Sequence, residues 1–193
     1  LGVAMSWTVT AIVSEVATKR MGVLVTNVWR LLFAMLCSAT LMWVFTGDWW
    51  PVYADSSTWL WMLLSGFVGY FFGDWCLFNS YLTIGSRFGQ LFMTLAPIAS
   101  ALSAWVMLGQ TMSWMAVVAM LVTISGIAIS VLGRTESGKG VSLQLPWKGV
   151  LFGIGAGVGQ GLGLVLSKVG MDAYALAIPT ERAEEIMPYI AFS

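Results

Sequence analysis

The sequence predicts an all-α integral membrane protein, a polytopic helix bundle, and three observations carry that prediction. Apolar residues make up 59% of the chain against 9% charged, which leaves too little polar surface to coat a water-soluble domain of this size. Residues 88–133 carry no charge in 46 consecutive positions. One helix of that length would reach about 70 Å, more than twice a hydrocarbon core of about 30 Å, so the run must fold back once. The segment Gly109-Gln110-Thr111-Met112-Ser113, where glycine and small polar residues interrupt the apolar run, offers the place to do so.

Apolar stretches set against turn signals give six spans, near residues 1–18, 24–46, 58–79, 86–108, 113–133 and 148–168, with a seventh beginning near Pro188. Leu1 to Ala17 has neither a basic n-region nor a small-residue cleavage site, so it reads as a retained span. The sequence opens on Leu1 and closes inside the apolar segment Tyr189–Ser193, and both ends read as cut.

Polar and ionisable groups inside spans are costly, so each asks for a reason. In the first span Trp7 serves as packing or as a cavity wall, and Glu15 precedes Lys19 by four residues, the spacing of an ion pair near the interface. Arg30 in the second span can snorkel along its own stem as a structural anchor. In the third, Asp74 shares a side with Tyr70 and Tyr81, a polar stripe that either lines a wet cavity and exchanges protons or sits near the membrane surface. In the fourth, Gln90, Thr94 and Pro97 share a face, and Pro97 frees a carbonyl by removing an N–H. Such a break suits a binding site or a kink that fits neighbouring helices. The sixth span sets Gly149, Gly153, Gly157 and Gly161 four apart, the spacing of close helix packing, and Gly69 and Gly73 give the third span the same device. Gln160 faces either solute or an adjacent helix.

Gly133 to Trp147, with Arg134, Glu136, Lys139 and Pro146, is the one long polar connection, and it divides the chain into residues 1–133, a linker 134–147, and residues 148–193. Beyond it the chain starts again: Val16-Ala17-Thr18-Lys19 resembles Val165-Leu166-Ser167-Lys168. If this is duplication, a first unit of five spans forces the second copy to enter the membrane inverted. Trp49, Trp50, Trp59 and Trp61 mark one membrane interface. Lys19, Arg20, Arg87, Arg134, Lys139 and Lys148 lie by the first, third and fifth loops, which the positive-inside rule makes cytoplasmic.

Several chemistries are excluded. Net charge is zero with no Lys/Arg run, so no nucleic-acid partner is expected. The chain has no histidine, which removes imidazole bases and the commonest nitrogen ligand of metals, and Cys37 and Cys76 lack metal-ligand spacing. The alternate glycines from Gly153 to Gly163 fail the dinucleotide pattern at Val158 and Gln160, and Gly133 to Gly140 fails the phosphate-loop pattern because Gly140 has no hydroxyl for magnesium. No cofactor or metal is therefore expected, and an intramembrane enzyme would lack paired catalytic groups. With no nucleotide loop, any energy input would come from an ion or solute gradient.

Phe92-Met93-Thr94-Leu95-Ala96-Pro97 through Leu108-Gly109-Gln110, followed by Gly126-Ile127, resembles the pattern of EamA-domain proteins of the drug/metabolite transporter superfamily, with Trp7 and Arg30 in matching places. The resemblance covers residues 1–133, and a second copy starts near Gly149. It implies ten helices in two inverted five-helix repeats, about six of them present here, around a central cavity that works by alternating access. Gln110 stands where the family usually has Glu, and family members generally place the N-terminus in the cytoplasm, opposite to the charge tally. The expectation is a secondary active transporter in the cell (plasma or inner) membrane. It would export small metabolites, amino acids or drug-like compounds, with protons as a coupling ion, a bilayer around it and an open oligomeric state. Trp7, Glu15, Tyr70, Asp74, Tyr81, Gln90, Thr94, Pro97 and Gln160 are the cavity candidates. A non-transporting scaffold or receptor is the alternative.

Overall fold

A computed structural model describes residues 2–134, 141–143 and 145–192. The chain forms helices α1 (Gly2–Met21), α2 (Val23–Thr46) and α3 (Ser56–Ser65), a π-helical segment Gly66–Gly73, then α4 (Asp74–Met93), α5 (Ala96–Leu108) and α6 (Trp114–Val131). After a short hairpin come α7 (Trp147–Ala177), α8 (Thr180–Ile186) and a 3-10 turn Met187–Phe192.

Ends and breaks follow from local chemistry. The Asp55 carboxylate accepts the Thr58 N–H at 2.7 Å and caps α3. Hydrogen bonding by Thr58 holds the Asp55 carboxyl below its ordinary value. From Ser56 to Met93 the helix is nominally continuous over 38 residues. Straight, it would reach about 57 Å and overrun the bilayer. Gly85, at φ 80° and ψ 162°, breaks it instead, in a backbone conformation that side-chain-bearing residues rarely adopt. The division between the third and fourth spans therefore falls in the gap the sequence reading left for it.

The fourth span is not one helix. Thr94 and Leu95 form a turn in which their N–H groups donate to Leu91 and Phe92 carbonyls at 3.2 and 3.0 Å, and α5 restarts at Ala96 with Pro97 in its first turn. Pro97 has no N–H for a carbonyl one turn back, so the ladder is interrupted there and the proline is tolerated only at the new helix start. At the other end Gly109, at φ 64°, closes α5, and the Ser113 hydroxyl accepts the Ala116 N–H at 3.2 Å to open α6.

Leu132–Arg134 pairs antiparallel with Val141–Leu143, so part of the expected polar linker is a two-stranded hairpin. Glu136 and Lys139, and most of the phosphate-loop-like stretch, lie outside the described residues. Helix α7 runs on past the expected end at Lys168: it carries Gly170 within it and meets no proline before Pro179, and Lys168 pairs with Asp172 at 2.9 Å along it. Around Pro188, where a seventh span was expected, the described residues form the 3-10 turn, whose Tyr189 ring stacks on Phe45 at 4.5 Å.

Helix α7 is central and packs against α3, the π segment, α4 and α5. Its glycines make this possible. Gly159 and Gly163 meet Gly73 and Gly69, while Gly157 and Gly161 meet Leu95 of the α4–α5 turn and Ala96 and Ala99 of α5. A Cβ on Gly163 would stand 2.6 Å from the Gly69 Cα, closer than atoms can approach. A core of Ala11, Cys76, Leu77, Phe78, Tyr81 and Ala156 ties α1 and α4 to α7.

Among the described residues, four helical stretches are long and apolar enough to cross a membrane: Val23–Thr46, Ser56–Met93, Trp114–Val131 and Trp147–Ala177. Helix α5 is shorter, and α1 carries Ser6, Thr10, Ser14 and Glu15 along its length. The outer faces are apolar, with Trp114 79% and Ile129 78% exposed, a surface that water would not support and lipid does. The chain is a polytopic helical membrane protein.

Candidate functional site

A cavity of about 850 Å3 opens between α1, α2, the π segment, α4, α5 and α7. Its shape starts with the π segment. A wider turn leaves carbonyls without their usual helical donors, and two side chains from other helices take them: Asn27 of α2 donates to the Tyr70 and Phe71 carbonyls at 3.3 and 3.4 Å, and Gln160 of α7 donates to the Gly69 carbonyl at 3.3 Å. Asn27 is 1% exposed, so this is a built link.

Immediately after that segment Asp74 is buried at the wall, where Arg30 of α2 pairs with its Oδ2 and Gln160 donates to its Oδ1 at 3.1 Å. Charge-assisted bonds of this kind are what a desolvated carboxylate needs. The Arg30 side chain remains 35% exposed toward the cavity, against 4% for Asp74, and its guanidinium lies 5.7 Å from the Phe78 ring centre. Arg30 is therefore not the snorkelling anchor expected from sequence. A carboxylate 44 residues away needs its charge more than the interface does.

A second polar string crosses the cavity. The Trp7 indole N–H donates to Gln90 Oε1 at 2.8 Å, and Gln90 Nε2 donates to the Tyr81 hydroxyl oxygen. The Gly85 break is what permits it, because it folds Gln90 back over Tyr81 nine residues earlier. Thr94 and Pro97 sit on the cavity side of the α4–α5 turn, where the Thr94 hydroxyl donates to the Leu91 carbonyl at 2.7 Å.

Of the cavity candidates named from sequence, all but Glu15 line this cavity. Glu15 binds Lys19 at 2.6 Å and accepts the Ser86 N–H at 3.0 Å, which fastens α1 to the chain just past Gly85. Sequence reasoning missed Thr10 and Ser14, which also line the cavity. With Trp7 they repeat at steps of three and four on α1, a helical face that could have been read. Asn27 and Phe78 had no such signal.

The cavity thus combines an apolar, aromatic wall with one ion pair, two amides and a few hydroxyls, the composition of a small-molecule site. In comparisons with known proteins, the family model of the EamA-like transporter family matches residues 1–132. No curated protein and no solved structure matches the chain.

Proposed function

Because the chain belongs to the EamA-like transporter family, a branch of the drug/metabolite transporter superfamily, and is thus a multi-pass membrane transporter, we propose that it is a secondary active exporter whose solute occupies the 850 Å3 cavity. The observation that carries this reading is the cavity itself: polar groups that are expensive in a bilayer converge on one volume from five helices and the π segment. Trp7, Tyr70, Tyr81, Gln90, Thr94, Pro97 and Gln160 are the proposed solute contacts, and Asp74 is the proposed proton-exchanging group. Glu15 serves the packing of α1 and leaves the list of solute contacts.

In this reading residues 1–133 are one five-helix repeat, 134–147 a linker, and 148–193 the opening of an inverted second repeat, with alternating access between the two and the plasma or inner membrane as the site of action. The close glycine contacts hold α7 against the π segment and α5, so the opening of the second repeat docks directly on the first.

The test is gradient-dependent flux. Cells carrying the complete protein should show efflux of metabolites that collapses when the proton gradient is dissipated, and Asp74→Asn should uncouple it while the protein still reaches the membrane. A chain acting as a scaffold would tolerate Asp74→Asn with no change in any flux.

A further inference from the structure

The Arg30–Asp74 pair has an accessible member and an inaccessible one. Asp74 is 4% exposed and already accepts from both Arg30 and Gln160, so a cation entering the cavity cannot reach it without displacing them. Arg30 is 35% exposed, and among the described residues its guanidinium meets a single acceptor, with its Nε buried and unpartnered. A guanidinium presents five donors in a planar fork matched to a carboxylate. The free capacity of the site is therefore for an anion. Around it stand Trp7, Tyr70, Phe78 and Tyr81, with Leu77 and Leu164 beyond, a wall for an apolar body.

Resting on the reading of this cavity as the solute site, we propose that it takes a small organic carboxylate with an apolar body on Arg30, and that binding places one proton on Asp74. The proton follows from charge balance. The empty pair is neutral, and adding a carboxylate would leave one net negative charge in a low-dielectric volume. Among the described residues lining the cavity around Asp74 there is no other compensation. Arg30 comes from α2, Tyr70 from the π segment, Tyr81 from α4, uncharged Gln160 from α7, and only hydroxyls and Pro97 from the α4–α5 turn and α5. The nearest charge on α1, Glu15, is itself an anion, held by Lys19. A proton from water therefore goes to the Asp74 carboxylate, the ligand's carboxylate takes the guanidinium, and Gln160 retains its contact with Asp74.

Calorimetric titration of the purified full-length protein tests this with phenylacetate, phenylacetamide and phenethylamine, in two buffers of different ionisation enthalpy. Phenylacetate should bind about tenfold more tightly than the amide, as expected for a charge-assisted contact. It should also take up one proton per site. Asp74→Asn should bind phenylacetate at least as tightly, with no proton uptake. The double variant Arg30→Gln/Asp74→Asn removes both charges together, so neither is stranded, and it should bind acid and amide within about twofold. Equal or tighter binding of the amide or the amine to the unaltered protein overturns the anion assignment, as does a preference for phenylacetate that survives in the double variant. If neutral compounds are then still carried across proteoliposomes, the transporter reading stands without it. Failure of all three probes to bind, with no flux of any solute, counts against both.

Discussion

Asp74 and Arg30 lie 44 residues apart in the chain and meet in the structure, and each makes the other tolerable in its place. Replacing Asp74 by Leu strands the guanidinium. The expected cost is about 3 kcal/mol, the low end for breaking a buried pair, because Arg30 keeps an open side toward the cavity. Denaturant unfolding of the detergent-solubilised protein measures it, and Asp74→Asn, which retains the Gln160 contact, should lose less. The stripe of Tyr70, Asp74 and Tyr81 was legible in the sequence because helical periodicity places those positions on one side. The Glu15–Lys19 pair was legible for the same reason, a separation of four. Arg30 was misread because no local spacing links α2 to α4. Only the tertiary fold brings its partner within reach, and a lone arginine near a helix end looks like an anchor.

Among the helices, the glycines of α7 make the clearest prediction. Gly163→Ala puts a methyl group where the Gly69 backbone stands, and forcing the helices apart should cost about 1–3 kcal/mol, read as a lowered melting temperature. Gly126→Ala on α6, where nothing lies within 4 Å, is the matched control and should be neutral or slightly stabilising. The cap of α3 carries a pH signature. Because Asp55 is held below its ordinary value in the fold, its contribution is present at neutral pH and lost as pH falls below about 4, through the folded-state value. Asp55→Asn should remove that portion of the acid sensitivity in thermal melts followed by circular dichroism. Most helices were legible from apolar runs and turn residues. Two helix boundaries were not. The break at Thr94–Leu95 falls short of the proline that causes it, since the ladder fails one turn back from Pro97. The end of α7 was read at Lys168, whereas Asp172 is paired with Lys168 along the helix and Tyr174 is 1% exposed.

At the scale of the molecule, the positive charges by the odd loops predict that the end of α6 faces the cytoplasm, opposite to the arrangement expected of the family. A fluorescent reporter fused after Gly133 should therefore fold and shine, and a reporter active only outside the cell should stay silent; the opposite pattern reverses the orientation. The cavity's existence could be anticipated from polar residues in every relevant span, but its walls could not, because the sequence gives no sign that the helix leaves α geometry at Gly66–Gly73. That segment also has a consequence for how the gene can vary. A π turn holds one more residue than the α turn it replaces, so loss of a single codon within 66–73 can be absorbed by tightening, with both flanks still facing as before. The same loss in the middle of α2 would turn everything beyond it by about 100° and misdirect either Arg30 or the helix end. Deletions should thus survive selection for membrane insertion at this one place, while erasing the carbonyls that Asn27 and Gln160 hold, and with them the cavity's polar wall.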